Sequence, residues 1–256
     1  MHRPRERERF ERTDVPRYNP HRTQIAIAVL VAVAVGLALL VHGLWERANA
    51  STHVGNQTLS AAIGEQSETT AADGYTVSSD VFTNVLMLTV DDINADSPQL
   101  QKAQLLVMDA STHKGYLVTI PLDAKVSVNG GDTTLASCYA SQGAAGCLAP
   151  LSTATNVKVS HVVVATDAVW EKIASFKGSG LSAILGSSAD ILKTLETDMS
   201  MGDVTDTAEL LQSIGVGNLS KQDAPGSEGD NGSGGTWFTI DATALGVNVG
   251  LLTANA

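Results

Sequence analysis

The longest apolar stretch of the chain, IAIAVLVAVAVGLALLV, runs from Ile25 to Val41 without a charge. His42, Gly43, Leu44 and Trp45 extend it to the about 20 residues that a helix needs to cross a bilayer. Residues 25–45 are therefore predicted to form one transmembrane helix, with Trp45 placed as an interfacial aromatic. Residues 1–24 mix basic and acidic side chains with Pro4, Pro16 and Pro20 and have no apolar face, so they read as a disordered head. Residues 46–78 are rich in Ser, Thr, Ala and Gly and read as a flexible linker.

From residue 79 to residue 256 the pattern is that of a folded domain. VFTNVLMLTV (81–90), AQLLVMD (103–109), GYLVTI (115–120) and KVSHVVVA (158–165) are short apolar, β-branched runs that suit buried strands. The second and third, separated by a turn at Ser111–Gly115, predict a hairpin, and Asn129-Gly130-Gly131-Asp132 predicts another turn. Helical spacing places Val169, Ile173 and Phe176 on one face of a helix capped by Thr166. It also places Ile191, Leu192, Leu195 and Met199 on one face of a helix capped by Ser188. Asp206 and Glu209 read as a capping box before Leu210, Leu211 and Ile214, with Gly215 as the stop. Residues 223–235, DAPGSEGDNGSGG, read as a flexible loop. TWFTID (236–241) reads as a short strand, and ALGVNVGLL as a last helix weakened by glycine. Strands interleaved with helices argue for an α/β layered domain, and the hairpin for a mixed sheet.

Charge adds a topology. All eight arginines precede residue 48, seven of them ahead of the apolar run, while eight lysines and twenty-two acids occupy the remainder. The positive-inside rule then places the N-terminus in the cytoplasm and the C-terminal domain outside the cell membrane, on a single-pass anchor. Ala48-Asn49-Ala50 has the small-x-small form of a signal-peptide cleavage site, but the apolar run is longer than the about 7–15 residues of a signal core. An acidic outer domain without arginine excludes a nucleic-acid partner. Cys138 and Cys147, the only cysteines, lie in CYASQGAAGC. Read as a loop in an oxidising compartment, this segment predicts a structural disulfide; with no C-x-x-C, a redox role has no support.

Four segments, in order, resemble the LytR-CpsA-Psr (LCP) family over roughly residues 80–220. Asn84–Asp91 (NVLMLTVD) is similar to the opening strand NILLLGxD, whose aspartate binds metal. Gln104–Asp109 with Tyr116–Ile120 matches the next two strands. Thr119-Ile120-Pro121-Leu122-Asp123 is similar to the S-I-P-R-D signature, and His161–Val164 with Asp167 to Phe176 resembles the D-H-Y-V…D-F…F segment. The resemblance implies a three-layer α/β/α sandwich on a membrane anchor. It also implies transfer of a polyprenyl-pyrophosphate-linked glycopolymer to the cell wall, with Mg²⁺ as cofactor. Lipid-linked precursor, wall polymer or an active homologue are the implied partners.

The departures from the family are systematic. Its arginines fall on Ile93 and Leu122, and its R-S-D-T stretch falls on Gln99-Leu100-Gln101-Lys102. Its R-x-R pair falls in GSGLSAILGSSAD, where neither arginine is present. Binding a pyrophosphate and stabilising charge as its bond breaks takes arginine forks and a cation. Each lost charge-assisted contact is worth about 1.5–3 kcal/mol, so losing three or four removes many decades of rate. The leading expectation is a degenerate site in an accessory or binding module of cell-wall glycopolymer assembly. A divergent Mg²⁺-dependent phosphotransferase using Asp91, Lys102 and Asp123 is a second reading. A structural or adhesive surface domain is the third.

Asp91 and Asp92, with Asp96 nearby, are candidate metal ligands; the plainer reading is an acidic loop at a strand end. Asp123 is placed to touch a ligand or to accept backbone hydrogen bonds in its turn. His161 has no second histidine nearby and reads as structural, because a zinc site needs three or four ligands.

Overall fold

A computed structural model describes residues 53–175, 194–232 and 234–255. The predicted head (1–24) and membrane segment (25–45) lie outside the described residues, among which no helix is long and apolar enough to cross a membrane. The elements are, in order, β1 (His53–Val54), α1 (Gln57–Gly64), β2 (Tyr75–Val77), β3 (Phe82–Val90), β4 (Leu100–Asp109), β5 (Lys114–Ile120), β6 (Lys125–Val128), β7 (Gly131–Thr134), α2 (Leu135–Thr155), β8 (His161–Thr166), α3 (Asp167–Ser175), β9 (Leu195–Thr197), α4 (Met201–Ile214), β10 (Ser220–Asp223), β11 (Gly226–Asp230), β12 (Thr236–Ile240), α5 (Ala242–Asn248) and β13 (Leu252–Ala254).

Seven strands form a mixed central sheet in the order β1-β9-β8-β3-β4-β5-β10. β3 pairs antiparallel with β4 and parallel with β8, and β4 pairs antiparallel with β5, giving the expected hairpin. Alternation along the strands divides the apolar side chains between two faces. Leu86, Leu88, Leu105, Val107, Val118 and Val162 pack with Leu59 of α1, Leu148 and Leu151 of α2 and Leu245 of α5. Val85, Leu106 and Met108 pack with Ile214, Val204 and Leu211 of α4 on the other. Helices thus cover both faces, which explains why the β3 and β4 sequences read as nearly continuous apolar runs.

Several expectations are corrected. The linker 46–78 is not a free stalk where it is described. Asn56 caps α1, its Oδ1 accepting from Thr58 N at 2.8 Å and Leu59 N at 3.3 Å. Leu59 is 1% exposed in the main core. Gln66 exchanges two hydrogen bonds with the backbone of Val159, and β2 pairs with β13. The segment CYASQGAAGC is not a loop but part of α2. Its buried positions Leu135, Cys138, Tyr139, Ala144, Cys147, Leu148 and Leu151 follow helical spacing across a break at Gly143 (φ 67°). Small side chains hid that stripe.

Cys138 and Cys147 are brought side by side within α2 as free cysteines, without the expected disulfide. Both behave as small buried hydrophobes, exposed by 0% and 1%.

Leu195 and Met199 do not share a helix face, because Leu195–Thr197 is the strand β9, paired with β8. The rest of that predicted helix, Ser188–Lys193, lies outside the described residues. α4 begins at a capping box of Ser200 and Asp203, earlier than the Asp206–Glu209 pair, and ends at Gly215 (φ 84°) as expected. The predicted last helix splits into α5 and β13.

Residues 223–235 are not a flexible loop either, since β11 and β12 form a hairpin there. Glycine is required at its start: a Cβ on Gly226 would stand 2.2 Å from Thr239 O and 2.6 Å from the Phe238 ring. Gly226→Ala is therefore expected to destabilise the domain by about 1–3 kcal/mol, read as a lower urea midpoint.

Candidate functional site

The C-terminal ends of β3, β8 and β5 and the N-terminal end of β4 lie along one end of the sheet, since Val90 pairs with both Leu100 and Thr166 and Ala103 pairs with Ile120. Asp91, Asp92, Lys102 and Asp123 are all brought to this end. They do not converge on one point, and no ion pair joins Lys102 to any of the three carboxylates. Ala103, Leu105 and Val107 face the α2 side, so Lys102 stands on the α4 side of β4, exposed and paired in register with Thr89. Asp123 is exposed in the turn after β5; its backbone carbonyl, not its carboxylate, accepts from Phe238 N.

Asp91 holds its own loop. Its Oδ1 accepts from Asp92 N and Gln99 N, each at 2.8 Å. These bonds, Gln99 first, hold its carboxyl below the ordinary range. Asp92 Oδ1 accepts from Asn94 N at 2.9 Å. Both aspartates therefore act as turn-formers. Among the described residues, no group of three or more His, Cys, Asp or Glu is gathered to hold a metal. Mg²⁺ requires carboxylate oxygens turned together toward open coordination positions. Here an oxygen of each aspartate is already engaged by backbone, and the family's second carboxylate position lies in a stretch that carries Lys102. The residues present do not fit a divalent cation.

The missing arginines are replaced by packing. Ile93 and Leu122 are both partly buried against the main core. An anion at this end would meet aliphatic carbon and carboxylates where guanidinium forks are needed. His161, expected to be structural, is paired: its Nδ1 lies 2.8 Å from Asp198 Oδ2.

Sequence reading missed a concavity at the β3–β4 connection, lined there by Asp96, Ser97 and Pro98. A cavity of about 430 Å³ opens between the β3–β4 connection, the start of α1, the break in α2 and β9. Tyr139, Glu196, Asp96, Asn56, Ser141 and Gln142 supply polar groups to its wall. Burial, with the charges of Glu196 and Asp91, pushes the Tyr139 phenol up to about 12, so it remains a hydrogen-bond donor at every physiological pH. The one legible signal was Tyr139 itself, a lone aromatic in a run of small residues.

No protein-family model matches the chain, and no curated protein matches it. Solved structures do. The chain is similar to Bacillus subtilis TagV, at 12% identity over 67% of this chain and 95% of that one, with a TM-score of 0.53. It is similar to TagT bound to LIIa-WTA, at 15% identity over 73% and 94%, with a TM-score of 0.52. It is also similar to protein gbs0355 from Streptococcus agalactiae, at 11% identity over 66% and 86%, with a TM-score of 0.53. TagT and TagV are LCP-family proteins. The chain therefore has an LCP-like fold, as the four sequence segments implied.

Proposed function

We propose that this protein is a membrane-anchored, extracytoplasmic member of the cell envelope that uses an LCP-like three-layer sandwich as a non-catalytic binding or accessory module in cell-wall glycopolymer assembly. One observation carries the reading: Ile93 and Leu122, at the positions of the family's arginines, are partly buried against the core, near an Asp91 engaged by its own loop. A site so built lacks the charge to hold a pyrophosphate or to stabilise its cleavage. The fold of TagT, seen bound to LIIa-WTA, supports a wall polymer as the partner class. The polymer is favoured over the lipid tail because the cavity at the β3–β4 connection carries carboxylates, hydroxyls and amides in its wall. Residues 25–45 would anchor the protein, and an active homologue would supply the transfer chemistry.

The test is binding of a polyprenyl pyrophosphate to the full chain in nanodiscs, with and without Mg²⁺. No Mg²⁺-dependent binding is expected, and Asp91→Ala should change nothing. Tight binding that needs Mg²⁺ and is lost in Asp91→Ala would overturn the reading in favour of a phosphotransferase.

A further inference from the structure

We propose that the pocket at the opposite end of the sheet from Asp91, where β3 and β8 begin, binds a primary ammonium group carried on a short aliphatic stem. Asn84 and Asp91 stand at the two ends of β3, about 20 Å apart along the strand, so this pocket is separate from the site described above.

Its walls come from four places: the segment after α1 (Glu68, Thr69), the β2–β3 connection (Ser78, Asp80), the run into β8 (158–160) and Leu251 ahead of β13. Hydrogen bonds between these segments hold the walls together. Lys158 N donates to Thr69 Oγ1 at 3.3 Å, Ser160 N to Asn84 O at 2.7 Å and Ser78 N to Leu251 O at 2.9 Å. The space is about 300 Å³, at the small end of ligand sites and well beyond what a single water fills.

Asn84 carries the inference. It is 5% exposed and forms part of the wall. Its Nδ2 donates to Lys158 O at 2.8 Å, whereas its buried Oδ1 has no partner among the described residues. Exchanging the amide O and N would set two carbonyl oxygens against each other, so the unmet group is the acceptor. A buried acceptor left unpaired is costly, and a donor entering the pocket relieves that cost. An anion cannot.

Charge selects among donors. Three ionic groups line the pocket: Glu68, Asp80 and Lys158. Lys158 Nζ is bonded to Glu68 Oε1, so those two charges cancel. Asp80 pairs with no cation among the described residues; its Oδ2 accepts from Ser78 Oγ at 3.1 Å, which holds the carboxylate in place. The pocket is therefore net negative by one charge. An ammonium group donates to Asn84 Oδ1 and has Asp80 as its counter-charge. A guanidinium would bring five donors in a fixed fork and leave most of them unmet here. Ile63, Val77, Phe82 and Leu251 supply apolar wall for methylene groups. A free alkylamine and the side chain of a lysine residue share this chemistry.

The experiment follows the side-chain amide resonance of Asn84 in the full chain, isotopically labelled on nitrogen and held in detergent. The titrants are n-butylamine, Nα-acetyl-lysine methylamide and butyrate. A saturable shift with n-butylamine is expected, and none with butyrate. A shift with both amines assigns the pocket to lysine side chains; a shift with n-butylamine alone assigns it to free amines. Asp80→Asn, an exposed change, should weaken amine binding by about 2- to 5-fold. Asn84→Ala should weaken it by about 10-fold or more. If Asn84→Ala does not fold, the parent titration and Asp80→Asn decide. The proposal is overturned by the absence of a saturable shift with either amine, by butyrate binding as tightly as n-butylamine, or by an amine affinity that the folded variants leave unchanged.

Discussion

Leu59→Ala is expected to destabilise the whole domain by about 2–5 kcal/mol, although Leu59 lies in a stretch whose composition is that of a tether. The side chain is 1% exposed and packs with Leu86, Leu148 and Leu151 in the main core. Its removal leaves a cavity between α1 and α2, the layer that covers the face of β3 and β4. Its other anchors are peripheral: the Asn56 cap, the pairing of β1 with β9, the partly buried Ala62 and Ile63, and the Gln66–Val159 hydrogen bonds after its end. Loss of its one buried side chain should therefore release the helix as well as open a void. Urea unfolding followed by tryptophan fluorescence reads the effect through Trp170 and Trp237. Gln57→Ala, exposed on the same helix, is the control and should stay within about 0.5 kcal/mol of the parent. Equal midpoints for Leu59→Ala and the parent would mean that residues 53–64 do not belong to the folded unit.

The contrast between that result and the linker composition shows which parts of the fold can be read from sequence. β3, β4, β5 and β8 were legible because each is a continuous apolar, β-branched run buried on both faces. α1 and α2 were not. α1 fully buries a single residue, Leu59, so it shows no stripe; the buried positions of α2 mix Leu with Ala, Cys, Ser and Thr, and Gly143 shifts their phase midway. β9 was read as helix because Leu195 and Met199 stand four apart; tertiary pairing with β8 decided the matter, since Leu195 and Thr197 alternate as buried sheet positions.

At the candidate site, Asp91 and the two substituted arginine positions were legible because they fall inside short motifs of fixed order. The cavity was not. Its wall draws on Asn56, Asp96, Tyr139 and Glu196, four segments that no local pattern links. A site assembled from distant segments has no spacing to read. That is also why the loss of an anion site showed in the sequence while the polar cavity beside it did not.

Asp198→Ala should cost about 2–4 kcal/mol near pH 6, and the loss should shrink as the pH rises. Asp198 is 7% exposed at its side chain and serves two groups of β8 at once. Its Oδ1 accepts from Val162 N at 2.6 Å, and its Oδ2 faces His161 Nδ1 at 2.8 Å. With Thr197 Oγ1 donating to Val162 O at 2.6 Å, it pins the connection between β9 and α4 onto the strand beside β3. The charged groups facing the His161 ring are Asp198 and Asp203; the hydrogen bond to Asp198 raises its pKa above the ordinary 6.5, burial opposes the rise, and both carboxylates add to it.

The sign follows from linkage. The folded protein holds this proton more tightly than the unfolded chain, so the stabilisation is fully present below pH 6.5 and is lost as the pH rises through the folded value. Asp198→Asn sharpens the test, because it keeps an oxygen for Val162 N and removes only the charge. Its stability should approach that of the parent at alkaline pH and fall below it at pH 6. A difference between parent and Asp198→Asn that stayed flat across this window, measured by urea unfolding at a series of pH values, would mean that His161 does not carry the charge that fastens β9 and α4 to the sheet.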